Sequence, residues 1–156
     1  MLTPGGVNQD ELVTILKALR NRAFDTAGLA VGGTTSRVQV ANTVAFTING
    51  TLYSKVAENN ISVGTLTALT AGQTCRIRVE ISSAGTVTFV QGKAVTGGRG
   101  TGPTPLRTAS RCTLGFIDVA GAFTFGTTSF AAETFTNGDP DLAPDTGSPK
   151  DTGLEA

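Results

Sequence analysis

The sequence predicts a mainly β chain: a short-stranded antiparallel β-sandwich or jelly-roll-like barrel with one N-terminal α-helix and an extended C-terminal arm. Three observations carry this. Twenty glycines and abundant threonine are interleaved with Val, Ile and Phe, which favours short strands and frequent turns. "TVAFTINGTLYSKV" (43–56) alternates apolar and polar residues on either side of Asn49-Gly50, the signal for a two-residue type I′ turn. Only one stretch, near the start, has helical periodicity, and the last residues are rich in Pro, Gly and Asp.

The helix is expected over 8–23. Asn8 caps it, Glu11 completes a capping box, Asp10 and Glu11 sit in the first turn, and Arg20 and Arg22 in the last. Leu12, Ile15, Leu16, Leu19 and Ala23 fall on one face. A helix of about four turns is marginal alone and has to dock, on its own β domain or on copies of itself around a symmetry axis. The Gly-rich "TAGLAVGGTTSR" (26–37) then leads into the strands. This divides the chain into a helix and connection (1–37), a β domain (38–137) and an acidic arm (138–156).

Strands are expected at 38–48, 51–57, 61–69, 75–82, 86–91, 111–119 and 122–130. In "CRIRVEIS", Cys75, Ile77, Val79 and Ile81 share one side while Arg76, Arg78 and Glu80 share the other. "SSAG" turns this strand into "TVTFVQ". The inward face is expected to hold Phe46, Ile48, Ile77, Val79, Val87, Phe89, Phe116 and Phe123. "GKAVTGGRGTGPTP" (92–105) interrupts the strands as a flexible basic loop, either a surface for interaction or a long turn. It lacks the Gly-Lys-Ser/Thr ending of a phosphate-binding loop, and the single Arg99 is too little for nucleic acid.

The arm cannot build a core. Asp139, Asp141 and Asp145 are spaced like calcium ligands, but the inner glycine and closing bidentate Glu of that loop are missing. Residues 138–156 carry Asp139, Asp141, Asp145, Asp151 and Glu155 against Lys150, a net −4 in a chain of net charge zero. Residues 76–111 carry Arg76, Arg78, Lys93, Arg99, Arg107 and Arg111 against Glu80, a net +5. The two are either separately solvated or complementary between copies.

A chain of 156 residues is enough for one domain with a modest core. With no histidine, Ser-His and Cys-His nucleophiles and His-ligated metals are excluded. No tryptophan and only Tyr53 leave no aromatic platform for sugars or bases. Cys75 and Cys112 match neither a disulfide framework nor zinc spacing; they are buried thiols, or a bridge if their strands are neighbours. The start shows no basic-then-apolar leader, and no stretch approaches the roughly 18 apolar residues of a membrane span.

Three segments, "NTVAFTINGTLYSKVAENNISV", "CRIRVEISSAGTVTFVQGKAV" and "CTLGFIDVAGAFTFGTTSF", together resemble a pattern in tailed-bacteriophage virion proteins, the head decoration (cement) or head-fibre proteins. The resemblance covers roughly 42–130. It implies a small β module that coats a capsid, binds the major capsid protein, forms a homotrimer near local threefold axes, and has no catalytic residues. The expected function is therefore structural: decorating and stabilising a phage capsid by bridging its major subunits, on the exterior of the virion after synthesis in the host cytoplasm. A fibre, tail or receptor-binding component and a generic β-sandwich binding module are the alternatives. Asp118 and Glu133 could in principle form an acid–base pair, and each reads better as a lone surface charge. No catalytic site, metal, cofactor, nucleic acid or membrane is expected. The expected contact residues are Leu12, Leu16, Leu19 and Arg99, with Asp139, Asp141, Leu142, Asp145 and Leu154 in the arm.

Overall fold

A computed structural model describes residue 9 and residues 21–97 and 102–138. Three antiparallel sheets organise the described residues, and none closes into a barrel. The first sheet has the order β1–β4–β5, from β1 (Asn21–Ala23), β4 (Val44–Ile48) and β5 (Thr51–Lys55). The second, β2–β3–β6, contains β2 (Leu29–Val31), β3 (Val38–Val40) and β6 (Glu58–Ile61). The largest sheet is centred on two nine-residue strands, β7 (Gln73–Ile81) and β10 (Cys112–Ala120). On one side of this pair lies β11 (Thr134–Asn137); on the other, β8 (Val87–Gln91) and β9 (Val95–Thr96) both pair with β7. The architecture is sandwich-like, with β1 and β4 packed against β10, and β2 against β11.

The Asn49-Gly50 hairpin forms as its sequence requires. Both residues have positive φ (52° and 81°), and the ladder runs unbroken from Ile48↔Thr51 to Val44↔Lys55. Phe46 and Tyr53 stack across it at 5.7 Å on the core side. In the large sheet, Ile77↔Ile117 and Cys75↔Val119 place the apolar sides of β7 and β10 on one face. A bulge between Thr113 and Gly115 shifts the register near the start of β10. Gly115 is required there: a Cβ would stand 2.2 Å from Thr136 O and 2.7 Å from Leu29 Cδ1, so only glycine lets β2 and β11 close on the strand.

Several expectations are corrected. The helix expected over 8–23 lies mostly outside the described residues, and its last three residues are strand β1. Asn21 Oδ1 accepts the Asn49 N–H at 2.7 Å, tying β1 to the hairpin turn, and Ala23 packs on the β core rather than on a helical stripe. The connection 26–37 contains β2, which pairs with β3, so the β fold begins well before residue 38. The stretch 38–48 is two strands in different sheets, and 61–69 retains only Ile61 of β6 and a bridge from Leu69 to Phe123. Residues 122–130 form turns: Thr124 O accepts the N–H groups of both Thr127 and Thr128, and Phe123 and Phe125 instead join Phe130 in a ring cluster. The unanticipated β11 completes this region, with Phe135 6.4 Å from Phe130.

Of the expected inward face, Phe46, Ile48, Ile77, Val79 and Phe123 are buried in the core, and Val87 and Phe89 pack half-buried at its margin. Phe116 is fully buried on the opposite face of the large sheet, because its neighbours Ile117 and Val119 take the core side. Ile77→Ala, at the centre of β7, is expected to cost about 2–5 kcal/mol. Leu106→Ala, 90% exposed, should stay within about 0.5 kcal/mol. Urea unfolding of both variants checks this ordering.

Candidate functional site

The chemistry of the described residues is concentrated on the second face of the β7–β10 pair. Alternation in "CRIRVEIS" sends Arg76, Arg78 and Glu80 to this side, and the register sets them opposite Asp118, Phe116 and Thr113. This face is buried although it is charged: Arg78 is 3% exposed and Glu80 0%. Residues 102–110 cross it and provide hydrogen-bonding partners.

Arg76 holds Asp118 in a two-point ion pair, Nε to Oδ1 at 2.7 Å and Nη2 to Oδ2 at 2.8 Å. Those hydrogen bonds raise the Arg76 pKa above its ordinary value, against the opposing effect of burial. Arg78 donates from Nε to Pro105 O and from Nη1 to Thr113 Oγ1, each at 2.9 Å. Both guanidinium groups lie over the Phe116 ring, 5.4 and 5.0 Å from its centroid. Glu80 Oε1 accepts the Thr108 N–H at 2.8 Å. The backbone is thus pinned at Pro105 and again at Thr108, and between these points Leu106 is 90% exposed. Arg107 reaches Asn21 O at 3.5 Å and Ser110 Oγ accepts from Asn49 Nδ2 at 3.4 Å, so the same loop ties the first sheet to the large one.

The described legs of the 92–105 loop are also packed, contrary to the expected flexible loop. Gly92 N–H donates to Arg76 O at 2.8 Å, and a Cβ at Gly102 would stand 3.0 Å from Cys75 Cα. The sequence alternation shows that Arg78 and Glu80 share a face. Besides the Thr113 hydroxyl, however, their partners include backbone groups of residues 105 and 108, which leave no side-chain signature.

Two clefts border the sheet. One of about 500 Å³ is lined by Thr67, Thr70, Gln73, Gln91 and Lys93, with Gln91 holding both the N–H and the C=O of Thr67 at 2.8 Å. The other, of about 210 Å³, is lined by Cys75, Asp118 and Glu133 among others. Burial pushes the Cys75 thiol pKa up, partly offset by the Gln91 amide, so the thiol stays protonated and a poor nucleophile. Both oxygens of Asp118 are held by Arg76, so Asp118 is a paired charge and not the lone one expected from the sequence. Cys75 and Cys112 are on neighbouring strands, yet Cys75 lies opposite Val119 and Cys112 opposite Ile81. That separation along the ladder, about 20 Å, forbids a disulfide.

Leu12, Leu16, Leu19, Arg99, Asp139, Asp141, Leu142, Asp145 and Leu154, the expected contact residues, all lie outside the described residues. Among the described residues, no group of three or more His, Cys, Asp or Glu side chains is placed to hold a metal ion.

Glu80→Ala removes the buried carboxylate that accepts the Thr108 N–H and is expected to cost about 1–3 kcal/mol, whereas Glu80→Gln keeps an oxygen there and costs less. Urea unfolding with hydrogen exchange at Thr108 measures both. Burial raises the Glu133 pKa above 4.5, partly offset by the Ala120 N–H that its carboxylate accepts. The folded chain therefore holds this proton more tightly than the unfolded chain, and stability falls as pH rises from 4.5 through the raised value. Glu133→Gln stays neutral and should melt at or above the wild-type temperature at pH 7, with a flatter pH profile across that window. A lower melting temperature at pH 7 would show that the carboxylate's bond to Ala120 outweighs its burial.

No protein-family model matches this chain, and neither the curated proteins nor the solved structures contain a match to it.

Proposed function

We propose that this chain is a structural protein of a bacteriophage virion, decorating the outside of the capsid and bridging major capsid subunits. The observation that carries this reading is how the charged residues of the large sheet are used. Arg76, Arg78, Glu80 and Asp118 hold the chain's own strands and the 102–110 loop, and Leu106 stands exposed above them. Such a module presents a fixed surface. The resemblance over roughly 42–130 supplies the virion context.

A shell coat is held by many repeated contacts, so weak individual contacts suffice through avidity. In this reading the acidic arm contributes to the hold. Exposed ion pairs give about 0–1 kcal/mol each and fade with salt, so Leu142 and Leu154 contribute more than Asp139, Asp141 and Asp145. The module attaches to the major capsid protein and to further copies of itself.

Gel densitometry of purified phage particles, with the major capsid protein as reference, tests the proposal. The expected result is hundreds of copies per particle, released by mild denaturant and rebinding to the stripped particles. A few copies per particle would shift the assignment to a fibre, tail or receptor-binding component, and absence from particles would overturn it.

A further inference from the structure

Among the described residues strand β5 ends its sheet, and its outer edge lies beside exposed apolar side chains. The hairpin turn has two residues, so the closing pair Ile48↔Thr51 exchanges both backbone hydrogen bonds, as do Phe46↔Tyr53 and Val44↔Lys55. Leu52 and Ser54 therefore aim their N–H and C=O groups away from β4, and continuing the strand by one residue past its end at Lys55 gives Val56 the same phase. The side chains of Leu52 and Ser54 point to the outer face of the sheet, since Tyr53 and its alternates take the core side, and the same alternation assigns Val56 there. Leu52 is 66% and Val56 71% exposed; Phe24, which bonds to Ala45 O at the β1 end of the same sheet, is 51% exposed. Three of the four exposed large apolar side chains among the described residues thus lie in this sheet or directly after its strands β1 and β5. The edge carries none of the usual protection: no proline, no bulge, and no outward charge between Thr51 and Val56.

The edge is complementary to itself. Placed antiparallel around a twofold axis at Ser54, two copies set Ser54 opposite Ser54, Leu52 opposite Val56, and Val56 opposite Leu52. The three residues exchange backbone hydrogen bonds with their counterparts, and the exposed aliphatic side chains meet as cross-strand pairs. On the inner side Lys55, ion-paired with Glu58 in its own chain, faces Tyr53 of the second copy, and no charge meets its like. Moving the axis to Tyr53 would set both aliphatic groups against Ser54 or Gly50.

We propose that a second copy of this chain docks edge to edge on β5, with the twofold axis at Ser54, joining two three-stranded sheets into one of six strands. This contact is isologous and closes as a dimer. It is independent of the virion reading, and it differs from the trimer that the family resemblance implies.

Light scattering and sedimentation of the full chain over a dilution series test it. The wild type is expected at twice the chain mass. Ser54→Pro removes an outward N–H without touching the ladder to β4, and Val56→Lys opposes a charge to Leu52. Each should raise the dimer Kd at least about tenfold while leaving the circular dichroism spectrum unchanged. Ser54→Cys provides the register test. A hydrogen-bonded antiparallel pair spaces Cα atoms about 5.5 Å apart, inside the roughly 4.4–6.8 Å range of disulfides, so mild oxidation should link two chains. Leu52→Cys thiols would lie about 13 Å apart and should not link. Native Cys75 and Cys112 are fully buried and do not compete. Three outcomes overturn the proposal: a wild-type trimer or dimer insensitive to Ser54→Pro and Val56→Lys, equal cross-linking by both cysteine variants, or a monomer. Slow exchange of the Leu52 and Ser54 amides in a monomer would show that the chain covers its own edge.

Discussion

Pairing of β7 with β10 buries both faces of a nine-residue ladder although only one face is apolar. Burying an unpaired charge costs several kcal/mol, so the second face depends on the partners its charged groups find. Asp118 meets Arg76 across the ladder, which neutralises one pair within the sheet. Arg78 and Glu80 have no such pair opposite them: β10 sets Phe116 and Thr113 there. The backbone of the crossing loop meets each of them, Pro105 O accepting from Arg78 and the Thr108 N–H donating to one oxygen of Glu80, whose other oxygen has no hydrogen-bond partner among the described residues. The path of residues 102–110 is therefore a consequence of the charges beneath it, and removing either charge would free one of its two anchor points.

This constraint reaches the rest of the fold through the same loop. Asn21, at the start of β1, takes a bond from Arg107 and gives its side chain to the Asn49 turn, while Asn49 reaches Ser110. The hairpin, β1 and the loop thus share one small polar junction. On the apolar face, Gly115 performs the corresponding task by admitting Leu29 and Thr136 against β10. Asn137 Oδ1 then accepts the Leu29 N–H at 2.7 Å, joining β11 to the second sheet.

What the sequence made legible was what is local. Asn49-Gly50 specifies a turn by its own backbone preference, and "CRIRVEIS" specifies a strand with two unlike faces. Short strands were hidden because three residues cannot establish a period: Ala23 satisfies a helical stripe and the alternation of β1 equally well. Phe123 and Phe125 mimic a strand because period 2 also arises when two rings of one turn flank a third, Phe130. The charged face was half legible. Its residues were evident, but the carbonyl of Pro105 and the amide of Thr108 are groups that any residue type could supply. An apolar helical stripe (Leu12, Leu16, Leu19), a basic loop (Arg99) and an acidic arm are visible in one dimension, whereas the edge of β5 exists only once the strand order is known.

The strands of this chain treat their borders unequally, and the difference bears on how copies meet. β10 is enclosed by β7 and β11, β7 by β10 and the β8–β9 segment, and β4 by β1 and β5. β11 is linked through Asn137 to β2, and the carbonyls and side chains around β6 hold the 32–37 turn: Gly33 and Thr34 N–H groups bond to Asn59 and Asn60, and Arg37 to Asn60 O. The outer side of β5 receives no comparable bond among the hydrogen bonds of the described residues. A water-exposed edge costs little in itself, since solvent satisfies its N–H and C=O groups. Water gives no return for Leu52 and Val56, which gain only when another apolar surface covers them. A backbone edge that can exchange water for a strand, beside aliphatic groups that benefit from the exchange, favours association through β5 over association through the polar borders elsewhere.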